Sequence, residues 1–148
     1  MSEQFTDQFV RWDTFSSALW YRTRAARYRL EGTRCTSCGT CFFPPRTGLI
    51  CPVCYERAME PYACAQTGQI VTAALDDVGF PAVGYGENLP RIQAIICLDD
   101  GIHLMVDLLQ VADPALVQPG ARVKMVLRKH KREDTGAWVY GYGFVLAE

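Results

Sequence analysis

Two pairs of cysteines constrain this chain more than any other feature. Cys35 and Cys38 are two residues apart, as are Cys51 and Cys54, and twelve residues separate the pairs. Two sulfurs three positions apart on a tight turn can both reach one metal ion at about 2.3 Å, and two such turns complete a tetrahedral four-thiolate zinc site. Gly39, after the first pair, permits the unusual dihedrals of that turn, and Pro52 stiffens the second. The residues between the pairs read as a two-stranded hairpin, with Phe42, Phe43, Pro44 and Pro45 as its apolar side. Four protein ligands leave the ion no open position for water or substrate. The expected cofactor is therefore one structural zinc, whose binding free energy is folding free energy for so small a lobe.

Cys41 supplies a rival pattern. Cys35, Cys38 and Cys41 share the spacing of a bacterial iron–sulfur run, but that run wants its fourth cysteine three residues later, where Pro45 stands. Cys41 then reads as a spare thiol on a returning strand, and Cys64 and Cys97 as small core residues. Seven cysteines without a basic-then-apolar start point to a reducing, cytoplasmic setting in which metal ligation outranks disulfides. No apolar run approaches the roughly 18–20 residues that span a bilayer, so no membrane partner is expected.

The rest of the chain divides on either side of the cysteines. The 148 residues, 49 % apolar and 21 % charged, suit one compact domain or two small ones. Three segments are expected: a helical one over 1–26, a zinc ribbon over 27–66 and a barrel over 67–148. In the first, Phe5, Phe9, Trp12, Phe15 and Leu19 recur every three or four residues and share a helix face. That stripe either packs on the protein's own barrel or docks on another polypeptide. Its area favours docking, because leaving such a face wet would cost several kcal/mol at about 25 cal/mol per Å2.

The third segment reads as five strands, 69–75, 91–98, 102–109, 122–131 and 138–146, each rich in Val, Ile, Leu or aromatic residues. Asp99-Asp100-Gly101 marks a tight hairpin, and Asp113 to Leu116 a short helical turn between the third and fourth strands. This is the layout of an OB-fold barrel. The fold class is thus mainly β with an N-terminal helix, a rubredoxin-like zinc ribbon preceding a five-stranded OB-fold barrel.

Catalytic candidates are few. His103 alternates with apolar neighbours and reads as a surface residue, while Cys97 lacks a nearby base or oxyanion motif. No phosphate loop, serine elbow or paired-carboxylate pattern is present, and no catalytic residue is assigned. Two features suggest binding instead. Arg128, His130 and Arg132 alternate onto one face of a strand and could meet the phosphates of a nucleotide-like ligand; a solvated, charge-protected edge is the other reading. Trp138, Tyr140, Tyr142 and Phe144 line one strand face, as barrel core or as a stacking surface, and Gly141 and Gly143 leave the other face open to a close approach. A nucleic-acid partner is disfavoured, because residues 68–148 hold seven Lys/Arg against ten Asp/Glu.

The combination resembles the small zinc-ribbon plus OB-fold proteins associated with acyl-CoA enzymes and encoded beside thiolase-like proteins. The resemblance rests on Trp20, the stretch Arg34-Cys35-Thr36-Ser37-Cys38-Gly39, then Phe43-Pro44-Pro45-Arg46, Cys51-Pro52-Val53-Cys54, Gly68, the Asp99-Asp100-Gly101 hairpin and the Pro119-Gly120 turn. Residues 85–91 and 128–133 look nearest to two branches, the small subunits of phloroglucinol (monoacetylphloroglucinol) acetyltransferase and of benzoylsuccinyl-CoA thiolase. The resemblance implies a non-catalytic subunit that bridges thiolase-fold catalytic partners and shapes the acyl or CoA channel. Phe5, Phe9, Trp12, Phe15 and Trp20 would be its partner contacts. A nucleic-acid module and a free-standing acyl-CoA-binding protein are the alternatives.

Overall fold

The protein is described here by a computed structural model covering residues 17–46, 48, 50–77, 90–132 and 138–147. Those residues form one α-helix, a three-stranded sheet and a closed five-stranded barrel. The stripe residues Phe5, Phe9, Trp12 and Phe15 lie outside them.

Helix α1 spans Ser17–Arg29. It turns Trp20, Thr23, Ala26 and Arg27 inward at helical spacing, while Tyr21, Arg22 and Arg24 face outward. The helix continues past Arg24, where its sequence pattern fades, because its end is set by burial. Leu30 sits in the left-handed region (φ 51°) and is completely buried, its amide still bonded to the Ala26 carbonyl. A glycine there would avoid the steric cost of this conformation but would forfeit the apolar anchor.

The ribbon sheet has the order β2 (Cys41–Phe42), β1 (Glu31–Cys35), β3 (Met59–Ala63), all antiparallel. The hairpin therefore runs through the first cysteine turn and not within the stretch between the pairs, as the sequence suggested. The cause is local. Gly39 donates to the Cys35 carbonyl and Cys35 to that of Thr40, which reverses the chain and sets Cys41 opposite Arg34.

The barrel comprises β4 (Thr67–Asp76), β5 (Arg91–Leu98), β6 (His103–Leu108), β7 (Arg122–Arg132) and β8 (Trp138–Leu146), with a 3-10 turn at Pro114–Leu116 between β6 and β7. Its order is β4-β5-β6-β8-β7, closing where β7 meets β4, with β6 and β8 parallel. This is the expected five-stranded barrel. Alternating residues such as Ile70, Ile96, Leu104, Val106, Val123 and Phe144 fill it. The aromatic row of β8 divides along its length. Phe144 is core, Tyr142 is half-buried, and Trp138 and Tyr140 are exposed.

Ribbon and barrel share one core. Leu30 and Cys64 pack in the same cluster as the barrel residues, with Phe43, Cys41 and Tyr62 against it. The Phe43 ring meets Tyr142 edge-on at 5.8 Å. The β5–β6 turn is pinned as well. Asp99 takes a bidentate Arg122 contact (2.7 and 2.9 Å) and the Thr67 hydroxyl, and Asp100 accepts from the Ala65 amide (2.8 Å). Arg122 and Thr67 together hold the Asp99 carboxyl down at about 2.

Gly68 marks where the barrel starts for a steric reason. A Cβ there would overlap the Cys97 carbonyl oxygen across the β4–β5 pair. Gly68→Ala should destabilise the protein by about 1–3 kcal/mol in chemical denaturation, as forced overpacking does. Gly101→Ala meets no atom within 4 Å, so its cost should come from its positive φ alone, about 1 kcal/mol.

Candidate functional site

The two cysteine turns face each other at the tip of the ribbon. The sulfurs of Cys35, Cys38, Cys51 and Cys54 all lie within 4.8 Å of one another. Cys35 and Cys54 are 3.5 Å apart, Cys38 and Cys51 3.6 Å. A tetrahedron with metal–sulfur bonds of about 2.3 Å sets its sulfurs about 3.8 Å apart, so the cradle has the size of a zinc site. Each turn closes the same way: Gly39 donates to the Cys35 carbonyl, and Tyr55 to that of Cys51. Gly39 (φ 77°) and Tyr55 (φ 62°) are thus equivalent positions, and in the second turn an exposed tyrosine takes the left-handed conformation that glycine takes in the first.

The acid–base properties of the sulfurs call for a cation. Thr40, through hydroxyl and amide, pulls the Cys38 thiol down to about 6. At Cys54 the Glu56 amide also pulls down, but burial and the three neighbouring sulfurs push the thiol up to about 12. Four adjacent sulfurs cannot all be thiolates without a compensating charge, and a dication supplies it. Zinc is the cofactor of this ribbon, and it is structural. Cys41 stands apart: its thiol points to the Gly39 carbonyl from β2, outside the four-sulfur group. Cys64 is buried as expected, whereas Cys97 is only half-buried.

The basic strand behaves differently from its sequence pattern. A bulge interrupts the β7–β8 pairing between Lys129 and Lys131, so the alternation through Arg128, His130 and Arg132 is broken at the histidine. His130 is largely buried, its Nε2 2.8 Å from the Tyr142 carbonyl and its Nδ1 3.7 Å from Asp107. Arg128 stays exposed and donates to the Leu127 carbonyl. The side chain of Arg132 lies outside the described residues. Gly141 makes room for the His130 ring and Gly143 for Leu109, so these glycines serve packing within the chain. Lys129 covers the Trp138 ring at 4.5 Å. His103 is exposed, as expected.

Asp107 also takes Arg91 (3.8 Å), which bonds Asp76 at 2.9 Å. Arg91 and Asp107, with Lys129 and His130, line a cavity of about 370 Å3. A second cavity, about 340 Å3, lies between α1 and the barrel; a third, about 350 Å3 and mostly apolar, lies between α1 and the ribbon. Arg27 lines both of these. Its guanidinium lies over the Trp20 ring at 3.7 Å, donates through Nε to Thr23 and through Nη2 to the Trp20 carbonyl. Its Nη1 is buried and meets no acceptor among the described residues. Sequence reasoning passed over Arg27; the available signal was a helix with four arginines and no carboxylate.

Comparison with known proteins agrees with the site. Residues 22–60 match the ChsH2, rubredoxin-like zinc ribbon domain. A "DUF35 domain-containing scaffold protein" of Methanothermobacter thermautotrophicus is 31 % identical over 120 residues, covering 80 % of this chain and 86 % of the relative. One of Pyrococcus furiosus is 31 % identical over 126 residues (84 % and 88 %), and one of Methanocaldococcus jannaschii 32 % over 120 (80 % and 82 %). This chain belongs to the DUF35 family. A solved structure described as "Ltp2-ChsH2(DUF35) aldolase" shares the fold, with a TM-score of 0.65 over 91 % of this chain and 97 % of that one at 24 % identity. Among the described residues no helix is long and apolar enough to cross a membrane.

Two outcomes are expected. Cys38→Ser and Cys54→Ser should each lose the zinc, about one ion per chain by elemental analysis, and melt the ribbon. Visible iron–sulfur absorption in anaerobically purified protein would contradict this. For His130, the Asp107 carboxylate first, with the carbonyl of Tyr142, raises its pKa above the usual value despite burial. A raised folded pKa gives stability that is full below the unfolded value, about 6.5, and is lost as pH rises through the folded one. Unfolding free energy should fall as pH rises above about 6.5, and His130→Gln should flatten that slope.

Proposed function

We propose that this chain is the non-catalytic scaffold subunit of a thiolase-type acyltransferase complex that makes or breaks carbon–carbon bonds. The observation that carries the reading is a metal centre whose four positions are all filled by cysteine sulfur, in a chain of a scaffold family. A saturated zinc cannot polarise a carbonyl or activate water, so the metal here organises a surface and does no chemistry. The partners in this reading are cytoplasmic thiolase-fold subunits, which carry the nucleophile and the acyl group.

The N-terminal stripe of Phe5, Phe9, Trp12 and Phe15, with Trp20, would dock on those subunits, and the barrel would stand near the acyl or CoA entrance. Arg128, exposed on β7, and Arg132 are the proposed contacts to CoA phosphates. His130 is engaged with Asp107 and the Tyr142 carbonyl and would act by holding that edge in place. The aldolase description of the solved neighbour supports carbon–carbon chemistry as the common theme, in either direction.

Co-expression with thiolase-fold subunits of the same organism tests this. The complex should co-elute, and catalytic subunits purified without this chain should lose most of their turnover or stability. Unchanged turnover and stability would defeat the reading. Trp12→Ala should weaken association more than it lowers the melting temperature of the isolated chain.

A further inference from the structure

Helix α1 carries Arg22, Arg24, Arg27 and Arg29 and no carboxylate. Among the described residues only Arg29 of these is ion-paired, to Glu31 at 2.8 Å. Arg22 and Arg27 line the apolar cavity between the helix and the ribbon, whose other wall is Phe43, Pro44 and Pro45. That cavity therefore has an apolar floor and, among the described residues, two cations without a carboxylate partner.

We infer that this groove receives a segment of the partner protein in which an apolar side chain stands beside a carboxylate. The apolar group would lie on Phe43, Pro44 and Pro45, and the carboxylate would pair with Arg22 and Arg27. The inference rests on the scaffold reading above and specifies the partner's chemistry. A carboxylate suits the site better than a nucleic-acid backbone, because a phosphate chain needs a continuous track of cations. Here the charges border a floor of phenylalanine and proline. A guanidinium held against an aromatic ring by two hydrogen bonds is also pre-oriented, so little side-chain freedom is lost on pairing.

The test uses the full zinc-loaded chain and two short fluorescent probe peptides, one alternating leucine with aspartate, the other leucine with lysine. The acidic peptide should bind more tightly, and Arg22→Glu and Arg27→Met should each weaken it by about tenfold. Raising salt from about 50 to about 300 mM should weaken the wild type more than the variants. Arg27→Gln, which also removes the charge, stands in if Arg27→Met lowers the melting temperature. Equal affinity for both peptides, or binding indifferent to both substitutions, overturns the inference. So does tighter salt-dependent binding of a single-stranded oligonucleotide or of phosphatidylserine vesicles. In the assembled complex, co-elution unaffected by either variant overturns the inference and leaves the scaffold function standing. Absence of any wild-type complex defeats the scaffold function, and the peptides alone then decide the groove.

Discussion

Four sulfurs around one zinc ion hold the part of this molecule that hydrophobic burial could not hold by itself. Between Cys35 and Cys54 the described chain contains a two-residue strand and two tight turns, and the residues around the second turn, Ile50, Val53 and Tyr55, are exposed. Such a segment has almost no core of its own, and in lobes this small metal binding is the folding reaction. The ion also fixes direction. With the turns locked tip to tip, the stretch that follows Cys41 must leave on one side, which carries Phe43 to Tyr142 and Pro44 and Pro45 to the face of α1.

The barrel needs no such staple, yet it is not independent of the ribbon. Leu30 and Cys64 enter its core from outside the five strands, and Asp100 ties the β5–β6 turn to the segment joining ribbon and barrel. Gly32 belongs to the same seam. A Cβ there would overlap the Phe42 carbonyl oxygen and crowd the Cys64 sulfur, so glycine is what lets β1 approach both neighbours. The three expected segments are therefore mechanically coupled, and a distortion at the metal has a short route to the helix through Phe43 and Leu30.

The parts legible in the sequence were those fixed by local periodicity or by ligand spacing. The Cys-x2-Cys turns specify the zinc, and runs of Val, Ile, Leu and aromatic residues located each barrel strand, because both signals act within a few residues. The parts that were not legible depend on contacts far along the chain. Leu30 and Tyr55 adopt left-handed conformations that no glycine announced, since burial holds one and the metal turn the other. The bulge at His130 inverts the meaning of an alternating basic run, and its cause is the pairing with Tyr142 and Asp107, twelve and twenty-three positions away. Similarly, Gly141 and Gly143 signalled a close approach correctly but not of what; the visitors are His130 and Leu109.

Charge follows the same division of labour. Every cation before residue 68 is arginine, whereas the chain's three lysines all lie in the barrel. Arginine is the side chain that stacks on aromatic rings and pairs with carboxylates at low entropic cost, and here Arg24, Arg27, Arg34 and Arg46 each lie over an aromatic ring. Lys124 and Lys129 are exposed on the acidic barrel and keep that surface solvated. Of the stacked arginines, Arg27 lines the apolar groove opposite Phe43, Pro44 and Pro45, held over the Trp20 ring. Phe43, Pro44 and Pro45 follow the first cysteine turn directly, so loss of zinc would loosen that wall of the groove.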